Sequence, residues 1–342
     1  MNRMWLVRAG ENAYLIDEFK ERSAVAIGWA KLGNLKGKST LAEIKALLKE
    51  YYPDYRDGKI NITAGQILRF VQDFKHGDKV ITYNPQERLY YIGKITSEYI
   101  YDPHYITDKP NVRKVIWEET VSRDSLSVSA RNTLGSIMTI ISISDDIQKE
   151  ILEATGTKTA EPIAGKEHKP VSDPSVEPEE QADDMEMIKE DMISKSMEFI
   201  KDRIASLDWE QMQEFVAGIL RAMGYKTRIS KKGPDRGRDI LASPDGLGLE
   251  SPRIIVEVKH RTGSMGAHEI RSFTGGLRQG DRGIYVSTAG FSKEAKYEAD
   301  RSNHPLSLLD LNDMTELVMH YYDQFDSETR TLVPLKKLYW PV

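Results

Sequence analysis

The chain contains no cysteine in 342 residues, which excludes disulfides, cysteine-ligated zinc and thiol nucleophiles. A reducing compartment such as the cytosol fits that absence. There is no apolar run near the roughly 18 residues that a membrane span requires. The opening, Met-Asn-Arg-Met-Trp-Leu-Val-Arg8, turns polar too early for a signal peptide. A cytoplasmic protein with no membrane partner is expected. Excess positive charge is also missing, since the formal net charge is −5. The deficit is local: residues 161–191 hold eleven acids against three lysines, a net of −8 that leaves +3 for the rest of the chain. Binding to a polyanion therefore depends on local basic stretches rather than on the total.

A length of 342 residues fits two domains. Residues 155–185 are rich in Pro, Glu, Ala and Ser, with almost no large apolar side chain, and cannot offset their ordering entropy by burial. The division expected is a first domain at 1–152, an acidic flexible linker at 153–190 and a second domain at 191–342. In the first, strands are expected at 5–8, 24–29, 79–83, 89–95 and 112–117, with helices at 40–51 and 64–74 between the second and third. That pattern predicts a curved sheet or barrel with helices. In the second, a helix at 209–223 precedes strands at 226–229, near Asp239, around Glu257, at 283–288 and at 306–309. Helices are expected near 268–277, after an N-cap at Ser292 and after an N-cap at Asn312. Alternation of this kind predicts an α/β domain with a central mixed sheet.

Chemistry concentrates between Gly233 and Lys259. A glycine-rich turn, Gly233-Pro-Asp235-Arg-Gly237-Arg-Asp239, leads into a strand ending Arg253-Ile-Ile-Val-Glu257-Val-Lys259. In an extended strand alternate side chains share a face, so Glu257 and Lys259 point the same way. A Glu-x-Lys pair is common on solvated strands. Here the surrounding run is almost entirely apolar, which implies burial on both faces, and buried charges are costly unless paired or metal-bound. Asp239 enters on the adjacent strand, and two carboxylates meeting there make a hard-oxygen site for Mg²⁺. Mn²⁺ is a plausible substitute. Lys259 can position an attacking water or offset charge on a phosphate. Lys231, Lys232, Arg236 and Arg238 before Asp239, with His260 and Arg261 after Lys259, suit phosphate contacts.

Residues 205–322 resemble the Mrr-type restriction endonuclease domain of the PD-(D/E)xK nuclease superfamily. The resemblance is carried by Arg221-Ala-Met-Gly224-Tyr225, the turn ending at Asp239, Glu257-x-Lys259, Phe273-Thr-Gly-Gly-Leu277 and Gly283-Ile-Tyr-Val-Ser-Thr-Ala-Gly290-Phe-Ser292. It implies a restriction-endonuclease-like fold in which Asp239, Glu257 and Lys259 are the catalytic set, with Asp235 a nearby acid. Two departures stand out. Many Mrr-like domains have Gln where Glu257 stands. The first helix of the family often carries Phe-Glu, whereas the aligned pair here is Met212-Gln213, with Glu214 next as the candidate helix carboxylate.

Residues 3–150 resemble the PUA/EVE-like domains that precede nucleases in modification-dependent restriction proteins. The likeness rests on Ala24-Val-Ala-Ile-Gly28-Trp29, on Gly77-Asp78-Lys-Val-Ile, and on Gly93-Lys-Ile with Tyr99-Ile-Tyr101. It implies an aromatic-walled pocket for a flipped modified base, with Trp29, Tyr83 and Trp117 as candidate walls. The resulting expectation is a Mg²⁺-dependent, type II/IV-like endonuclease that acts on double-stranded DNA carrying modified bases, in defence against foreign DNA. Double-strand cleavage implies a homodimer or higher oligomer on DNA. A repair or structure-specific nuclease, and a non-catalytic nucleic-acid-binding regulator, are the alternatives.

Overall fold

The computed structural model describes residues 3–155, 185–230, 239–260 and 263–340. They fall into two compact units, one ending at Lys195 and the other starting at Ser196.

Seven strands build the sheet of the first unit: β1 (Met4–Val7), β2 (Ala24–Ile27), β3 (Lys79–Asn84), β4 (Leu89–Ile95), β5 (Ile100–Tyr101), β6 (Asn111–Ser122) and β7 (Ile140–Ile143). Their order is β2-β6-β4-β3-β1-β7, with β5 beside β6. Only the β1–β3 pair is parallel among these. The twelve-residue β6 changes partner along its length, from β2 to β4. A register shift at Ile92/Gly93 leaves Glu118 of β6 as an extra, unpaired residue and adds a bend to that strand. A Cβ on Gly93 would fall 2.4 Å from the Val115 side chain, so the two strands approach closely only because glycine stands there. The sheet is curled, as expected, but it does not close into a barrel: β2 and β7 are its ends among the described residues.

Both faces of this sheet are covered. Trp5 and Val7 of β1 enter one core and Met4 and Leu6 the other, as the two-residue period demands. Helices α1 (Ile16–Glu21), α2 (Leu41–Tyr51) and α3 (Asp57–Leu68) pack on the first core. Thr40 and Glu43 form a capping box that starts α2. The third helix begins seven residues before the position expected from sequence. Its opening, Asp57-Gly-Lys-Ile-Asn-Ile-Thr63, is poor in helix formers, and burial of Ile60 and Ala64 overrides that preference. On the opposite face lie α4 (Val128–Leu134) and α5 (Asp145–Ala154), which contribute Ala130, Leu134, Ile147 and Ile151.

The second unit is a three-layer α/β arrangement. Helix α6 (Met185–Ala205) spans the division between the units, and its first residues lie within the stretch that composition marks as linker. It is followed by α7 (Trp209–Ala222), β8 (Lys226–Ile229), β9 (Ile240–Ser243), β10 (Arg253–Lys259), α8 (Ala267–Gly275), β11 (Asp281–Ser287), α9 (Lys293–Asp300), β12 (Leu306–Leu309), α10 (Leu311–Tyr321) and α11 (Ser327–Leu332). The sheet order is β12-β11-β10-β9-β8, parallel from β10 to β12 and antiparallel from β8 to β10. Ile254, Val256 and Val258 face a core shared with α7 and α10, while Ile255 faces one shared with α8 and α9. Helix α10 is capped by Asp310 rather than by Asn312, because the Asp310 carboxylate accepts from the Asn312 and Asp313 N–H groups. No helix of the described residues is long and apolar enough to cross a membrane.

Candidate active site

Strand β10 presents Glu257 and Lys259 on the same face as Ile255, as the alternation predicts. The Lys259 Nζ lies 2.7 Å from Glu257 Oε1, with the lysine side chain 38% exposed and the glutamate 11%. The ammonium therefore reaches solvent while the carboxylate stays in the sheet. In the parallel register with β11, Glu257 stands opposite Tyr285. Tyr285 is buried, and its hydroxyl donates to Met265 Sδ at 3.8 Å.

Asp239 sits one residue before β9. Its N–H donates to Val256 O at 2.9 Å. The Asp239 carboxylate also bonds the β10 backbone: Oδ2 accepts the Val258 N–H at 2.7 Å. Oδ1 accepts from Gln213 Nε2 of α7 at 2.9 Å. Asp239, Glu257 and Lys259, distant in sequence or on different strands, are thus gathered at one end of the β9–β10 pair.

Electrostatics follow from this enclosure. Burial pushes the Glu257 carboxyl above its ordinary range and the Asp239 charge adds to the rise, while Lys259 and Tyr285 oppose it. Burial, followed by the charges of Glu257, Glu269 and Asp239, pushes the Tyr285 phenol strongly upward. It remains a neutral donor. The buried Glu257 and partly buried Asp239 carboxylates beside a lysine form a donor set of hard oxygens, which fits a cation that binds through one or two carboxylates and then takes a phosphate oxygen. Among the described residues no group of three or more His, Cys, Asp or Glu is placed to hold a metal ion.

The remaining candidates divide. Glu214 is engaged by Arg221, whose guanidinium lies 2.6 Å from Glu214 Oε1 and 2.7 Å from Asp326. The α7 residue that reaches Asp239 is Gln213, one position earlier. Its signal in the sequence is a polar side chain on the helix face of Ala217 and Leu220. His260 is not available for phosphate: Nε2 lies 2.6 Å from the Leu207 carbonyl and must donate to it, leaving Nδ1 to pair with Thr288 Oγ1 at 3.2 Å. Asp235, Lys231, Lys232, Arg236, Arg238 and Arg261 lie outside the described residues. In the first unit, Trp29 and Trp117 are half-buried against the same core. Trp117 Nε1 donates to Phe19 O at 3.0 Å. Trp29 has φ +57° and ψ +42°, a conformation unusual for a bulky residue. Tyr83 belongs to the opposite face of the sheet, stacked on Tyr90 at 4.5 Å, so it does not join the two tryptophans.

Comparisons with known proteins bear on both units. Residues 5–144 match a family model described as a domain of unknown function. No curated protein matches the chain. Among solved structures, MspJI restriction endonuclease in complex with a 27-mer oligonucleotide aligns at 12% identity over 75% of this chain and 64% of that one, with a TM-score of 0.27. The DNA modification-dependent restriction endonuclease AspBHI aligns at 13% identity over 75% and 67%, with a TM-score of 0.30. This chain thus spans less than two thirds of the MspJI chain. Residues 204–318, which contain Gln213, Asp239, Glu257 and Lys259, match the restriction endonuclease family of Mrr catalytic type, and this part of the chain is an Mrr-type restriction endonuclease domain.

Proposed function

We propose that the chain is a modification-dependent DNA endonuclease that hydrolyses phosphodiester bonds at Asp239, Glu257 and Lys259. What carries the reading is the convergence of these three side chains at one end of the β9–β10 pair, within a restriction endonuclease domain. Asp239 and Glu257 would hold Mg²⁺, or Mn²⁺ in its place. When bound, the ion supplies Lewis-acid polarisation of a phosphoryl oxygen. The chain's own residues do the rest. Val258 N–H and Gln213 hold the Asp239 carboxylate in one orientation. Lys259 pairs with Glu257, and its partly exposed side chain is placed to orient a water or to neutralise charge growing on the phosphate.

The first unit, taken as residues 1–152 and as PUA/EVE-like, would read the modified base by stacking. Trp29 and Trp117 are its candidate walls, because both are half-buried aromatics on one face of a curled sheet. Cutting both strands would need two such sites, and so a dimer on DNA. The test is digestion of one plasmid prepared unmodified, 5-methylated at cytosine, or hydroxymethylated, with added Mg²⁺ at low salt. Cleavage restricted to a modified form is expected. If every form stays intact the nuclease reading fails, and equal cleavage of all forms removes the reader while leaving the nuclease.

A further inference from the structure

We propose that Gln213 is a positioning residue whose side-chain amide fixes the orientation of Asp239, so that the helix side chain on which the site depends is a neutral donor rather than the neighbouring carboxylate Glu214. The proposal deepens the nuclease reading above and rests on it.

Gln213 is 4% exposed, on the buried side of α7 with Ala217 and Leu220. A side-chain amide in such a place is costly unless bonded. Its Nε2 donates to Asp239 Oδ1 at 2.9 Å. The other carboxylate oxygen accepts the Val258 N–H at 2.7 Å. One backbone donor from β10 and one side-chain donor from α7 therefore grip the two oxygens separately. With one donor on each oxygen, this grip sets the plane of the carboxylate. Glu257 already brings a negative charge into poorly solvated space near the Asp239 charge, and an amide adds a donor without adding a third charge.

The grip is itself held in place. Asp208 caps α7 and pairs reciprocally with Gln211, and the Leu207 carbonyl just before it accepts from His260 at the end of β10. The start of α7 is thereby tied to the strand that carries Glu257 and Lys259. Glu214 is occupied elsewhere by Arg221.

Gln213→Leu removes the donor without adding charge, and Gln213→Glu keeps the side-chain shape but replaces the donor with a carboxylate. In the full-length chain each variant is compared with wild type by Mn²⁺ calorimetry without DNA, by single-turnover cleavage, by DNA affinity and by thermal melting. Loss of an outer partner of a metal site costs about 10- to 100-fold in metal affinity or activity. That loss is expected in Mn²⁺ affinity and in the cleavage rate constant of both variants, with KM for DNA unchanged within about 2-fold. Wild-type Mn²⁺ affinity and cleavage in both variants would overturn the proposal. So would tighter Mn²⁺ binding by Gln213→Glu with its cleavage retained, because the position would then act as a ligand. If wild type cleaves no DNA the nuclease reading fails, and the calorimetry still decides whether Gln213 orients Asp239.

Discussion

At the residue scale, Lys259 differs from Glu257 in having one side in solvent. Its loss should therefore cost little stability: the pair it makes with Glu257 is 38% exposed on the lysine side, so about 1 kcal/mol or less is expected from melting experiments. Its effect on chemistry is expected to be much larger. Removing a donor aimed at developing charge costs about 100-fold or more in rate, and Lys259→Ala should show that loss in single-turnover cleavage while gel-shift affinity for DNA stays near wild type. A variant that cuts at the wild-type rate would remove Lys259 from the site. The pairing of Glu257 with Lys259 was legible because a strand's two-residue period and an apolar surround make a buried Glu-x-Lys pair conspicuous. Gln213 was not, since its role exists only once α7 packs against the opening of β9. The nearest helix acid, Glu214, drew attention by its charge, yet that charge belongs to Arg221.

At the element scale, the junction of α7 with α11 offers two tests. Gly218 lies in the middle of α7, where alanine would ordinarily be preferred by about 1 kcal/mol. A Cβ there would fall 2.1 Å from Thr329 Oγ1 and 2.6 Å from its Cγ2, and Thr329 is fully buried with no room to withdraw. Overpacking costs about 1–3 kcal/mol, so Gly218→Ala should lower stability in denaturant titration despite its better propensity. A further Thr329→Ala should restore part of it. Asp326 caps α11. Burial pushes its carboxyl up, but the Thr329 N–H and Arg221 outweigh that and hold it down at about 2. A depressed acid contributes stability that is present above the unfolded value near 4 and lost as pH falls through about 2. Asp326→Ala should cost about 1 kcal/mol at neutral pH, and the gap from wild type should narrow between about pH 4 and pH 2. A gap independent of pH would assign the effect to packing. Most strands and α7 were readable from periodicity, whereas α6 and α11 were not. The first carries mixed charge along its surface, and the second is six residues held by Asp326 and by its seat on Gly218.

At the scale of the whole molecule, the expected division of labour gives base selection to the first unit and cleavage to the second. Trp29→Ala in the full-length chain should lose about 1–3 kcal/mol of discrimination between modified and plain duplex, the value of one base-stacking contact. Competition binding reads that difference directly, and unaltered discrimination would exclude Trp29 as a wall. The aromatic residues themselves could be picked from sequence, but which of them share a face depended on the sheet's two cores, and this set Tyr83 apart from Trp29 and Trp117. For hydrolysis at the gathered acids, the most direct measurement is cleavage of a fully modified plasmid in Mg²⁺ by wild type and by Asp239→Ala side by side, with DNA affinity recorded for both. Wild type is expected to cut and Asp239→Ala to bind equally well but leave the plasmid intact. Equal cutting by the two proteins would contradict phosphodiester hydrolysis at this site.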